Sequence, residues 1–345
     1  MRVRGDIALG RRHIEALAWL KSRSLLALLT SEVAVLPEVD VRRELAVVDP
    51  ERLDVLQRQP IDGSVERLAW TRNGLVLLLG SPGRIGPTRL AVFDVRGGLR
   101  DLQLGRIRAG WIREKSRNGE PIDRRRAAGL AVDPEGGRAF IIDPANFVAE
   151  VDLSRLSVAY HGLRERVSLL GRLWNWLEPP AQAKGGGFTG PVRSALWLGG
   201  GIVAVTGWDD RLVDAGGYLE QRSTPAGVTL VDTLDWAMRR IDEGASDIKL
   251  AGGALLAYGS LWDGSAWSGI GLRVYSKDGE RQFELFDGQP IFTVQAAGGY
   301  AYPQLENSCR GWVVDLSSGR VLRELDFNPN FDVSSSCEWP SLVDG

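Results

Sequence analysis

Trp208-Asp209-Asp210 and Trp262-Asp263-Gly264, with Trp267 close behind, are the residues best suited to gripping a ligand. A tryptophan ring offers a flat apolar face and an aspartate takes hydroxyls or positive charge, a combination that holds sugars and cations. The same residues have a plainer use, and it is the preferred one: the rings cap the rim of a core and the carboxylates cap turns. Arg124-Arg125-Arg126, near Lys115 and Arg117, forms a basic cluster. Such a run is ordinarily solvated, and an anion site is the sharper alternative. Glu306, with Asp209 and Asp210, offers oxygens of the kind calcium takes, but no loop carries an EF-hand spacing or a repeated Asp ladder. His13 and His161 are the two histidines, with no partner at ligand spacing, so neither metal nor cofactor is expected. There is no Gly-x-Ser-x-Gly elbow and no nucleotide-binding glycine loop leading into a helix. No catalytic residue is assigned, and the reading leans away from an enzyme.

What must position these residues is a repeat. Leu17-Ala-Trp-Leu20, Leu68-Ala-Trp-Thr71, Leu130-Ala-Val-Asp133 and Ala195-Leu-Trp-Leu198 each run into a polar or glycine-rich turn. A second apolar run follows, as at 25–29, 75–79, 139–142 and 202–205. After a variable gap comes a third run, closed by Asp49, Asp94, Asp152, Asp232 and Asp315 in five of the six copies. The fourth run is weaker and more polar, as at 54–57, 99–102 and 282–285. Continuous apolar runs suit strands buried on both faces, and the polar fourth run suits an exposed outer edge. Four short strands in fixed order predict an all-β fold, a β-propeller of about six, or seven, four-stranded blades. One domain is expected over 1–345, with blades near 11–60, 61–106, 127–162, 193–242, 246–287 and 290–327, and a tail at 328–345.

The most regular copy reads Leu130-Ala-Val-Asp-Pro-Glu-Gly-Gly-Arg-Ala-Phe-Ile-Ile-Asp143, then Val148-Ala-Glu-Val-Asp-Leu-Ser-Arg-Leu156. It resembles one blade of the YVTN/NHL-like propeller families, in which an apolar strand, Asp-Pro-x-Gly and a strand ending in Asp precede valine-rich residues and Asp-Leu. The resemblance implies the propeller fold over most of the chain. It implies no single activity, because such propellers host binding modules, lyases, lactonases and dehydrogenases.

In a four-stranded meander the first-to-second and third-to-fourth turns lie on one face. The second-to-third loops and the crossings between blades lie on the other. Insertions concentrate in this second class: loops at 31–43, 209–226 and 262–270, and crossings at 106–126 and 162–193. The crossing at 162–193 carries Leu173-Trp-Asn-Trp-Leu177, readable as a short helix or lid, or as an apolar anchor for the loop. Long loops on a rigid scaffold are the usual home of binding residues, so the face they share is the expected site.

Composition narrows the partners. A 44% hydrophobic and 25% charged chain with formal charge −2 belongs to a globular protein and gives no general attraction to nucleic acid. Only five of its 42 basic residues are lysine, a bias that fits a GC-rich genome. Residues 14–35 are apolar but carry Glu15, Lys21, Arg23 and Glu32, so no membrane span is expected. The opening Met-Arg-Val-Arg-Gly-Asp lacks the layout of a secretory signal, which leaves a cytoplasmic protein or one beginning at a trimmed end. Cys309 and Cys337, 28 residues apart, fall on the same side by propeller connectivity. They are expected to form a disulfide in an extracytoplasmic monomer. Two functions remain: a non-catalytic module binding a protein, small molecule or saccharide on the loop-rich face, or a hydrolase or lyase with carboxylates at the channel mouth.

Overall fold

The computed structural model describes residues 12–20, 24–32, 43–52, 54–71, 74–81, 84–94, 98–115, 121–135, 137–165, 191–214, 219–262, 266–306, 310–326 and 342–344. They form six antiparallel sheets, taken in chain order. The first is β1 (Arg12–Leu20), β2 (Leu25–Glu32), β3 (Arg43–Asp49) and β4 (Asp54–Ile61). The second is β5 (Ser64–Trp70), β6 (Leu75–Gly80), β7 (Gly86–Asp94) and β8 (Gly98–Lys115), extended by β9 (Pro121–Arg126). The third is β10 (Gly129–Asp133), β11 (Arg138–Asp143), β12 (Phe147–Asp152) and β13 (Ser157–Gly162), followed by the short β14 (Arg164–Glu165). The fourth is β15 (Val192–Gly199), β16 (Ile202–Asp214), β18 (Val228–Asp232) and β19 (Ala237–Asp242), with β17 (Leu219–Pro225) paired to β16 alone. The fifth is β20 (Asp247–Ala251), β21 (Ala254–Trp262), β22 (Trp267–Tyr275) and β23 (Arg281–Leu285). The sixth is β24 (Ile291–Ala297), β25 (Tyr300–Leu305), β26 (Arg310–Asp315) and β27 (Arg320–Asp326). The last strand, β28 (Leu342–Asp344), lies parallel to β1.

The sheets stand as blades around an axis, their first strands side by side in the order β1, β5, β10, β15, β20, β24. The middle strands show why the sequence runs apolar without alternation. In β6, Leu75, Leu77 and Leu79 pack toward the first blade, while Val76 and Leu78 pack toward the third. Each face of the strand is therefore interior. Burying one such side chain contributes roughly 1.5–3 kcal/mol. Equivalent layers join the third blade to the fourth, the fourth to the fifth and the fifth to the sixth.

The recurring Asp at the end of the third strand is a turn cap in four blades. Asp49 accepts from the backbone N–H of Glu51 and Arg52, Asp152 from Ser154 and Arg155, Asp232 from Leu234, and Asp315 from Ser317. In the fifth blade, which lacks the Asp, the Ser276 hydroxyl accepts from the N–H of Glu280. A short side-chain acceptor satisfies donors that a tight turn strands, which is why the position repeats.

Two sequence expectations are corrected here. The segments 209–226 and 106–126 are β-ribbons rather than loops. Residues 208–214 pair one for one with 219–225, and 110–115 with 121–126. The sequence of both ribbons carries no apolar alternation, so neither announces itself as strand. The crossing that begins at 162 also starts as strand, with Arg164 and Glu165 parallel to Ala237 and Met238 on the outer edge of the fourth blade. Its 166–190 part, including 173–177, lies outside the described residues.

Candidate face of the propeller: hairpins and channel mouth

Both ribbons leave their blades at a glycine. β18 holds β16 only as far as the Val205–Thr229 pair, while β15 runs beside it to Trp208, where the ribbon starts. Between them Gly207 adopts φ 140°, and a Cβ there would run into the carbonyl oxygen of Val192. In β8 the pairing with β7 ends at Ala109, and the ribbon starts at Gly110, with φ 130° and no room beside the carbonyl oxygen of Arg84. Only glycine takes that backbone shape at so close an approach.

Ion pairs lock the bases of these ribbons. Arg193, at the start of β15, is buried. It pairs with Asp209 and donates to the carbonyl of Trp208 at 2.8 Å. Arg126 donates to Asp143 at 2.6 Å, and that carboxylate also takes the N–H of Ala145 at 2.7 Å. Arg125 reaches Glu66 at 3.4 Å, and Ser64 donates to the same carboxylate at 2.6 Å. Two of the three clustered arginines thus have carboxylate partners, while only the backbone of Arg124 is described, opposite Ile112.

Trp208 is half-buried, set between Val192 and Pro225 in the ribbon pairing, with Asp209 beside it and Asp210 opposite Ser223. The backbones of Trp262 and Trp267 pair at the end of the β21–β22 hairpin, and Trp267 keeps 37% of its surface exposed. Asp263, Cys309 and Cys337 lie outside the described residues. Glu306 follows β25 and accepts from the Ser260 hydroxyl at 2.8 Å, joining the fifth and sixth blades. Burial pushes its carboxyl above the usual range, partly offset by that bond. His161 stacks on Trp236 at 4.0 Å and contacts Glu150 at 3.0 Å, a packing role between blades. Among the described residues no group of three or more His, Cys, Asp or Glu is arranged to hold a metal ion. No helix there is long and apolar enough to cross a membrane.

The first strands bring together polar residues that sequence reasoning missed: Glu66 and Arg67 on β5, Arg193 on β15, Asp247 and Lys249 on β20. Arg67 donates to the carbonyls of Glu66 at 2.7 Å and Arg193 at 2.8 Å, and lies 3.5 Å from the Ser194 hydroxyl. It thereby spans from the second blade to the fourth. Burial lowers its pKa to about 10, with neighbouring Arg125 adding to the fall and Glu66 and Asp247 opposing it. Burial also raises the Asp247 carboxyl, against the Ser246 hydroxyl and Arg67. Lys249 donates to Gln295 at 2.9 Å, tying the fifth blade to the sixth. The missed signal is one of register: these residues sit in the first or middle positions of three of the first strands, β5, β15 and β20.

Two solved structures are similar over nearly the whole chain. The β-propeller domain of Cps50 (Swd1) from Myceliophteria thermophila aligns with TM-score 0.54 at 13% identity, covering 92% of this chain and 87% of that one. The chain is a β-propeller. U3-55K aligns with TM-score 0.52 at 11% identity, covering 92% of this chain and 83% of that one. At such identities the likeness is one of fold. No protein-family model matches the propeller's sequence, and no curated protein is significantly similar to it.

Proposed function

We propose that this propeller is a non-catalytic binding module that docks a protein partner on the face bearing its hairpins. The observation that carries the reading is the pair of ribbons, each leaving a blade at a positive-φ glycine and held at its base by ion pairs. The β17 edge adds to it: among the described residues β17 pairs with β16 alone. An edge strand offers main-chain donors and acceptors to a partner's strand. The exposed Trp267 on the next hairpin supplies an aromatic anchor of the kind that dominates interfaces. The YVTN/NHL-like blade at 130–156 belongs to the same reading, as a rigid scaffold element.

The test is to replace residues 210–223 by a two-residue Asn-Gly turn. Photo-crosslinking from position 212 of the intact chain identifies the partner, which is then titrated against both proteins. The shortened chain should bind at least about tenfold more weakly, a loss of about 1.4 kcal/mol, with its urea midpoint unchanged. Equal affinity would reject the ribbon as the docking element. Turnover of an ester or glycoside, lost in Asp247→Asn, would move the reading to a hydrolase or lyase using channel-mouth carboxylates.

We further propose that Cys309 and Cys337 are bonded and that the protein is extracytoplasmic. Closing a loop of this size would stabilise by roughly 3 kcal/mol in the chain-entropy model. Thiol titration of denatured, unreduced protein made in an oxidising compartment should find no free thiol. Two free thiols there would remove the bond and most of the argument for the compartment.

A further inference from the structure

We propose that the channel mouth binds a small carboxylate-bearing ligand, its oxyanion on Arg67 and Arg125 and a hydroxyl or amino group directed to Asp247. Arg67 follows a β-bulge: the β5–β6 pairing skips Glu66 between Val65 and Arg67. Bulges of this kind re-aim side chains and cluster beside functional sites. The re-aimed guanidinium meets only neutral acceptors, the two carbonyls and the Ser194 hydroxyl. Among the described residues no carboxylate lies within 4.0 Å of it. A charge held inside a protein ordinarily has a partner or pays heavily for lacking one.

The next strongest influence on Arg67, after burial, is another cation, Arg125. Arg125 has 44% of its side chain exposed and touches Glu66 at a long 3.4 Å, so its fork is only partly engaged. Asp247, the nearby carboxyl, has the Ser246 hydroxyl at 3.0 Å as its side-chain partner. Arg67 and Asp247 act on each other's protonation without making an ion pair. Both keep accessible surface despite their central place. Two cations that repel each other and a carboxyl set apart from them match a ligand with one oxyanion and one donor. A guanidinium takes a carboxylate bidentately, which gives both strength and orientation. Arg125 belongs to the 110–126 ribbon and Arg67 and Asp247 to first strands, so protein with 210–223 shortened, a change confined to the other ribbon, should bind the same probes.

Calorimetric titration of the full chain with acetate, inorganic phosphate, glycine and 2-hydroxypropanoate tests the site, alongside a short peptide with free or amidated C-terminus. Acetate should bind weakly, with glycine or 2-hydroxypropanoate at least about tenfold tighter. Preference for the free over the amidated peptide would identify the carboxylate as a chain terminus; equal neglect of both would leave a small metabolite. Arg67→Lys keeps charge but loses the fork and should weaken every acid by about tenfold or more. Arg125→Ala, at a half-exposed side chain, should do likewise in a folded protein. Asp247→Asn should abolish the advantage of glycine and 2-hydroxypropanoate over acetate. Absence of binding by all probes at about 10 mM, which corresponds to about −2.7 kcal/mol, overturns the proposal. So does binding that Arg67→Lys and Arg125→Ala leave unchanged.

Discussion

Asp242→Ala should cost about 3–5 kcal/mol of stability, read as a fall in the urea midpoint. The carboxylate closes β19 and is 1% exposed. One oxygen takes the backbone N–H groups of Gly244 and Ala245, each at 2.8 Å, and the other takes Tyr275 Oη at 2.7 Å and Arg273 at 3.0 Å. It therefore shapes the crossing out of the fourth blade and pins it to the third strand of the fifth. Removing it leaves a guanidinium, a phenol and two amides without their acceptor, and stranded polar groups cost more than the bonds themselves. Tyr275→Phe removes one donor and should cost about 1–2 kcal/mol. Burial, the largest single influence on Asp242, would raise its pKa, but the four hydrogen bonds together outweigh it and the net shift is downward. A carboxylate depressed in the folded state stabilises above its unfolded pKa of about 4 and loses that contribution as pH falls through its folded value. The deficit of Asp242→Ala should accordingly be full at neutral pH and shrink in acid. A midpoint equal to that of the wild type at pH 7 would show that the network carries no weight.

Gly207→Val and Gly110→Val should each release a ribbon from its blade, at about 2 kcal/mol or more for the backbone shape alone. Both sites need positive φ, and at both a side chain meets a main-chain carbonyl that cannot step aside. The damage should be local. Gly207→Val would disturb the junction where Arg193 grips Asp209 and Trp208, while the apolar layers between blades stay intact. Amide hydrogen exchange should show lost protection over 208–225 in that variant and over 110–126 in the other, with little change in β6 or β11. Partner affinity should fall with Gly207→Val much as it does when 210–223 is shortened. Unchanged exchange in the ribbons would mean that the glycines do not set their direction.

The repeat, the strand order and the two-sided burial of strands such as β6 are written in local sequence. A strand between two blades must be apolar at every position, and a tight turn needs a side-chain acceptor at a fixed place. Residues such as Leu75, Leu78 and Asp152 therefore declare their setting without a partner being known. Trp267 and Trp262 were legible as a pair in one connection, and the hairpin places them opposite each other. The channel mouth was not legible. Glu66, Arg67 and Asp247 look like ordinary polar strand starts until the blades close. Arg125 meets Glu66 across 59 positions, and Arg67 meets the carbonyl of Arg193 across 126. The ribbons were hidden for a different reason: their sequence carries no apolar period, and their direction rests on Gly207 and Gly110 fitting against distant carbonyls. Local sequence determined what each strand buries. Which charges meet on the axis, and which hairpins rise beside them, was decided by the tertiary structure, because electrostatic partners and backbone clearances exist only once the sheets are arranged around it.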